Sequence, residues 1–154
     1  MFKKILTIMV ISVISVFSTA ALSFANTPNW EMLLQNSDTT IYIDNNSIQY
    51  NDNVFCCVTK FVPRKMTPKW VDDFKRNKVK GKMPVAVYEC YNMEVNSYNY
   101  GLVWMAYADK NDNLLLIENK DKYLLEGTFN KSDVAHYTVY EHCIKILKKR
   151  GELK

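Results

Sequence analysis

Histidine, glycine and proline are scarce in this sequence, at two, four and four of 154 residues. The short motifs of common catalytic sites are missing too. There is no G-x-S-x-G elbow, no H-E-x-x-H, no Walker loop and no dinucleotide fingerprint, so hydrolase, zinc-protease and nucleotide-binding readings have no anchor. His136 and His142 lie six positions apart, roughly 240° around a helix, and so do not hold one metal ion between them. The four cysteines, Cys56, Cys57, Cys90 and Cys143, include no C-x-x-C pair, which argues against zinc. Asp109 to Asn113 opens like a calcium loop, but Leu114 stands where the glycine belongs and Lys120 where the bidentate glutamate belongs, so a β-turn is expected. No repeat, low-complexity tract or linker divides the chain. The expectation is a non-enzymatic protein with no cofactor and no metal.

A signal peptide is legible at the N-terminus. Lys3 and Lys4 precede an apolar stretch from Ile5 to Phe17, and Ser23-Phe24-Ala25 offers a small-x-small cleavage site. The apolar core falls short of the roughly 20 residues that span a bilayer. No cysteine follows it where a lipoprotein would need one. Residues 1–25 are therefore expected to be removed, with the exported protein beginning at Asn26. Residues 26–154 are expected to form one domain, periplasmic, cell-envelope or secreted, that meets the membrane only transiently during export. A chain of this size buries roughly two-thirds of its unfolded surface, enough for a core.

Charge is unevenly spread. Loss of Lys3 and Lys4 takes the formal charge from +4 to +2, too little for a nucleic-acid binder. Residues 26–59 hold four acids and no Lys or Arg, whereas residues 60–82 hold nine basic residues against Asp72 and Asp73. Within that segment Lys69, Lys75, Arg76, Lys78, Lys80 and Lys82 form a patch suited to an anionic partner. Such a run is ordinarily a solvated face, and Lys75 to Lys82 reads as a mobile stretch around Gly81.

Alternation of apolar residues marks strands at Trp30 to Leu34, Thr39 to Asp44, Val54 to Val62, Val85 to Val95, Leu102 to Ala108 and Leu114 to Ile117. Brief extended pieces are expected at Ser47 to Tyr50 and Tyr123 to Leu125, with a hairpin turn over Asn51 to Asn53. Thr67-Pro68 reads as a helix start, with Trp70, Val71 and Phe74 as its apolar stripe. Ser132 is the expected cap of a last helix reaching Lys149, with Val134, Tyr137, Tyr140, Ile144 and Leu147 facing inward. The fold class is α+β: a mostly antiparallel β-sheet with a short middle helix and a C-terminal helix packed on the sheet. An even cysteine count in an exported chain favours disulfides, with three pairings open. Cys56 and Cys57, as neighbours on a strand, point to opposite faces.

The order Trp30, Thr40-Ile41-Tyr42-Ile43-Asp44, then Ser47-Ile48 resembles the opening of the surface-adhesin protein E family of bacterial envelope proteins. Glu89-Cys90 on a strand is similar to that family's acid-Cys pair, and Cys143 to its terminal cysteine on a helix. Cys56-Cys57, the basic Met66 to Lys82 segment and the missing lipid-attachment cysteine depart from the pattern. The resemblance implies an antiparallel sheet with a C-terminal helix and binding of host matrix or serum proteins at the cell surface, while the basic patch suits an anionic polysaccharide. Its alternative is a periplasmic module for a small ligand or the envelope, without adhesin activity. A bridge between Cys90 and Cys143 is expected, tying the last helix to the sheet.

Overall fold

The structure, a computed structural model, describes residues 27–119 and 125–154. The expected signal peptide and Tyr123 lie outside the described residues. The chain runs β1 (Trp30–Gln35), β2 (Thr39–Asp44), a single 3-10 turn (Asn45–Ser47), β3 (Gln49–Asn51), β4 (Val54–Pro63), α1 (Pro68–Arg76), β5 (Ala86–Glu94), β6 (Asn99–Ala108), β7 (Leu114–Asn119), β8 (Leu125–Thr128) and α2 (Val134–Lys149). All eight strands join one antiparallel sheet, so the fold is α+β. Its spine is β1-β2-β4-β5-β6-β7. The long strands β4 and β6 each pair with two short partners along one edge: β3 and β2 on β4, β8 and β7 on β6. Among the described residues, no helix is long and apolar enough to cross a membrane.

Turn chemistry sets the strand ends. Asp52 and Asn53 adopt positive φ (47° and 69°), the conformation of a tight two-residue hairpin turn and one that Asx residues tolerate. Asp44 ends β2 and accepts from the backbone N–H groups of Asn29 and Asn46, fixing the start of β1 against the 3-10 turn. Asp109 does the same after β6, accepting from the backbone N–H of Asn111 (2.8 Å) and of Asn113 (3.1 Å). The Asp109 segment is thus a carboxylate-organised turn.

Both helices lie on one face. On β4 and β5 that face carries Phe55, Cys57, Tyr91 and Met93, which pack against Val139, Tyr140, Cys143 and Leu147 of α2. Farther along, Val87 and Tyr107 receive Phe74 of α1. Each fully buried apolar side chain stabilises by roughly 1.5–3 kcal/mol, so α2 is held mainly by these four contacts. Its buried stripe is Val139, Tyr140, Cys143 and Leu147, rotated from the expected one, and Val134 is 55% exposed. The cap is also displaced by one residue. Asn130 engages the Ser132 hydroxyl, and Asp133 instead accepts from the backbone N–H of His136.

The other face is concave. Cys56, Val58, Ala86, Tyr88, Cys90, Trp104, Ala106 and Ala108 pack together there, in a cluster that includes no helix residue among the described residues. The sheet curls toward this side: Trp30 of β1 meets Tyr88 of β5 edge-on at 5.5 Å, although β2 and β4 lie between them. Lys60 points into the same face, paired with Asp112 at 2.6 Å and flanked by the Trp30 and Tyr88 rings. It is therefore withdrawn from the basic surface to which its sequence position assigned it.

Candidate binding face

The basic residues are displayed on α1 and on the turn that follows it. Thr67 caps the helix by accepting from the backbone N–H of Trp70, and Pro68 occupies its first turn, where a missing N–H leaves no intrahelical bond unmade. Phe74 is fully buried against Val87 and Tyr107, and Trp70 lies 5.3 Å from it ring to ring. The aromatic side of α1 is thereby committed to the sheet, and Lys69, Lys75 and Arg76 are exposed on the other side. Asp73 receives the Tyr107 hydroxyl at 3.2 Å and Arg76 at 3.6 Å.

The segment after α1 is a closed turn rather than a loose stretch. Val79 and Lys82 exchange reciprocal backbone hydrogen bonds of 3.2 and 2.9 Å. Lys80 and Gly81 form the tip at φ of 48° and 81°. Lys78, Lys80 and Lys82 are all exposed on it. Lys82 lies 3.7 Å from Asp109. The Asn113 amide, the Asn111 and Asn113 backbone N–H groups and Lys82 hold the Asp109 carboxyl below its ordinary range. Lys69, Lys75, Lys78 and Lys80 have no carboxylate within 4.0 Å among the described residues. The six basic residues named from the sequence thus fall on two neighbouring elements, and four of them carry uncompensated charge.

Beside this turn lies a cavity of about 310 Å³ lined by Lys82, Met83, Val85, Asp109, Lys110 and Asn111. Met83 and Val85 are 43% and 41% exposed, so apolar side chains share the lining with two ammonium groups and the Asp109 carboxylate, which is paired with Lys82. A ligand with an apolar portion and an anionic group directed to Lys110 matches that lining. Lys110, Met83 and Val85 were missed as site residues. Only the β6–β7 turn, which returns Lys110 toward Lys82, unites them.

No family model, curated protein or solved structure matches the chain.

A second polar cluster sits under the start of α2. Glu89 accepts the Tyr91 hydroxyl. The His136 ring stacks on Tyr100 at 4.5 Å, and its Nδ1 lies 2.7 Å from Asp133. Burial raises the Glu89 carboxyl above its ordinary range, against the Tyr91 hydrogen bond and the charge of His136, which pull it down. Tyr91, Tyr100 and Phe129 crowd the His136 ring. An acid raised in the folded state favours that state while it is protonated. The contribution is complete below the ordinary glutamate value and is lost as pH rises through the raised one. Glu89→Gln should flatten the resulting fall in stability as pH rises above the ordinary glutamate value of about 4.3, read as urea midpoints. A variant profile parallel to the wild type would refute this assignment.

The cysteines are not brought together as expected. Cys90 lies against Cys56, with Sγ atoms 3.4 Å apart, whereas Cys57 and Cys143 share the helix-covered cluster, where the Cys143 thiol is the neighbour that most raises that of Cys57. Cys90 belongs to the concave cluster and Cys143 to the helix-covered one, so the sheet itself separates the pair named from the sequence. His136 and His142 are half-buried. His142 contacts Asn45 Oδ1 at 2.8 Å, well away from the Asp133–His136 pair on the same helix.

Proposed function

We propose that the chain is an exported binding module of a bacterial cell envelope, similar to surface-adhesin protein E. In this reading it engages an anionic macromolecule, either a host matrix or serum protein or a polysaccharide, through Lys69, Lys75, Arg76, Lys78, Lys80 and Lys82. The supporting observation is the exposure of these residues on a packed helix and a closed turn, with four of them unopposed by carboxylates among the described residues. Fixed cationic elements attract a polyanion without first having to order a loop. Retention on immobilised heparin, alongside binding to matrix proteins and peptidoglycan, tests the reading. Elution at the lowest salt from every surface would reject it.

A periplasmic domain for a small ligand is the second reading, favoured by the cavity at Lys82 and Lys110. It requires a small amphiphilic anion to perturb Met83 and Val85 while leaving heparin retention to the remainder of the basic face.

A further inference from the structure

We propose that the four cysteines form two disulfides, Cys56–Cys90 and Cys57–Cys143, one on each face of the sheet. The pairing follows from the register of β4 on β5. Cys56 stands opposite Asn92, Cys57 opposite Tyr91 and Val58 opposite Cys90. Cys56 and Cys90 are therefore diagonal neighbours on the concave face, close enough for side-chain contact. Cys57, one residue on, faces α2 and the Cys143 thiol. Cys57, Cys90 and Cys143 have no solvent exposure, and Cys56 has 5%.

The crossed pairing, Cys57 with Cys90 and Cys56 with Cys143, requires β4 to slip by one residue. Such a slip would also turn Phe55 into the concave face and Val58 toward the helices. The bridges thus record the strand register covalently. The contact between partner thiols, and then burial, hold Cys57 and Cys90 well above the ordinary thiol value, so thiolate is scarce once the core has closed. Oxidation accordingly belongs to folding, while the thiols are still accessible.

Each bridge forms by exchange with a disulfide-bearing oxidant. One cysteine thiolate attacks the donor, releasing one donor thiol and leaving a mixed disulfide. The second cysteine then displaces the other donor sulfur, so one protein S–S bond forms, one donor S–S bond breaks, and the protons end on two donor thiols. Formation in the cell rests on the export reading, but pairing in a glutathione buffer does not. Failure of one is thus distinguishable from failure of the other.

The test is oxidative refolding of the full chain in a glutathione redox buffer, followed by alkylation of free thiols in denaturant and intact-mass counting. Cys56→Ala with Cys90→Ala, and separately Cys57→Ala with Cys143→Ala, should each leave no free thiol. Cys57→Ala with Cys90→Ala should leave both remaining thiols free. Wild-type protein gives a readout that needs no variant to fold. Trypsin should release one species in which the peptide ending at Lys60 is joined to both the Cys90 and the Cys143 peptides, and fragmentation between Cys56 and Cys57 should assign each link. A Cys90–Cys143 peptide, crossed links, or wild-type thiols that all remain free would overturn the proposal.

Discussion

Phe55→Ala should destabilise the protein by about 3–5 kcal/mol, the range for removing a large aromatic side chain from a packed core. Phe55 has no solvent exposure, stands opposite the buried Met93 across the β4–β5 pair, and lies 5.8 Å ring to ring from Tyr140 of α2. Truncation empties the place where sheet and helix meet. Tyr140 is also held by a hydrogen bond from its hydroxyl to the Val95 carbonyl, so it is poorly placed to move in and fill the space. A loss of that size is a large part of the total stability of a small domain, about 5–15 kcal/mol. With a urea slope near 2 kcal/mol/M, the midpoint should fall by roughly 2 M. Ile117→Ala is the control, since Ile117 is 46% exposed and its replacement should stay within about 0.5 kcal/mol. Equal midpoints for the two variants would show that α2 is not seated on Phe55.

Neutralising Lys75, Arg76, Lys78 and Lys80 together, each to glutamine, should weaken retention on heparin by roughly 30-fold. Exposed charge contacts contribute about 0.5 kcal/mol each, and four of them about 2 kcal/mol. The loss should be largest at low ionic strength and shrink as the Debye length falls toward about 8 Å at physiological salt. The fold should survive, because all four side chains are exposed and the helix is held by Phe74 and Trp70. Glutamine substitutions at Lys148 and Lys149, exposed at the far end of α2, remove charge without touching this face. If they reduce retention as much per charge removed, only net charge matters and the basic face has no special role.

The parts of the fold legible in the sequence are those written in local alternation. Val54 to Val62 announces its two faces residue by residue, and Cys56 and Cys57 do lie in different clusters. Thr67-Pro68 marks its helix because cap and first turn are local chemistry. The Cys90 partner was not legible, since alternation says that two residues share a face but not which face a distant helix covers. The stripe of α2 was misjudged for a related reason. The curled sheet brings β1 and the 3-10 turn against that helix, where Arg150 donates to the carbonyls of Asn45 and Ile48. Those contacts alter which side of α2 is enclosed. For the binding face, charge was readable along the chain, but the withdrawal of Lys60 and the addition of Lys110 depend on the sheet's curvature and on a returning turn.

One irregularity in β6 has a consequence for how this chain tolerates change in length. Leu102 stands opposite Tyr91 and Trp104 opposite Cys90, leaving Val103 as an extra residue between them. The bulge reverses parity along the strand. Even-numbered Tyr100 and Leu102 pack with the α2 core, whereas even-numbered Trp104, Ala106 and Ala108 serve the concave side. Val103 thus acts as a frame marker for the folded strand, much as a nucleotide does for a coding sequence. Deleting it would make Leu102 and Trp104 consecutive, opposite the consecutive Tyr91 and Cys90, so both flanks would keep their present faces and only the bulge would be lost. Substitution or deletion there is a local matter. The loss of any other residue between Tyr100 and Ala106, with the bulge kept, would put one flank out of phase with its surroundings and be read by the whole strand.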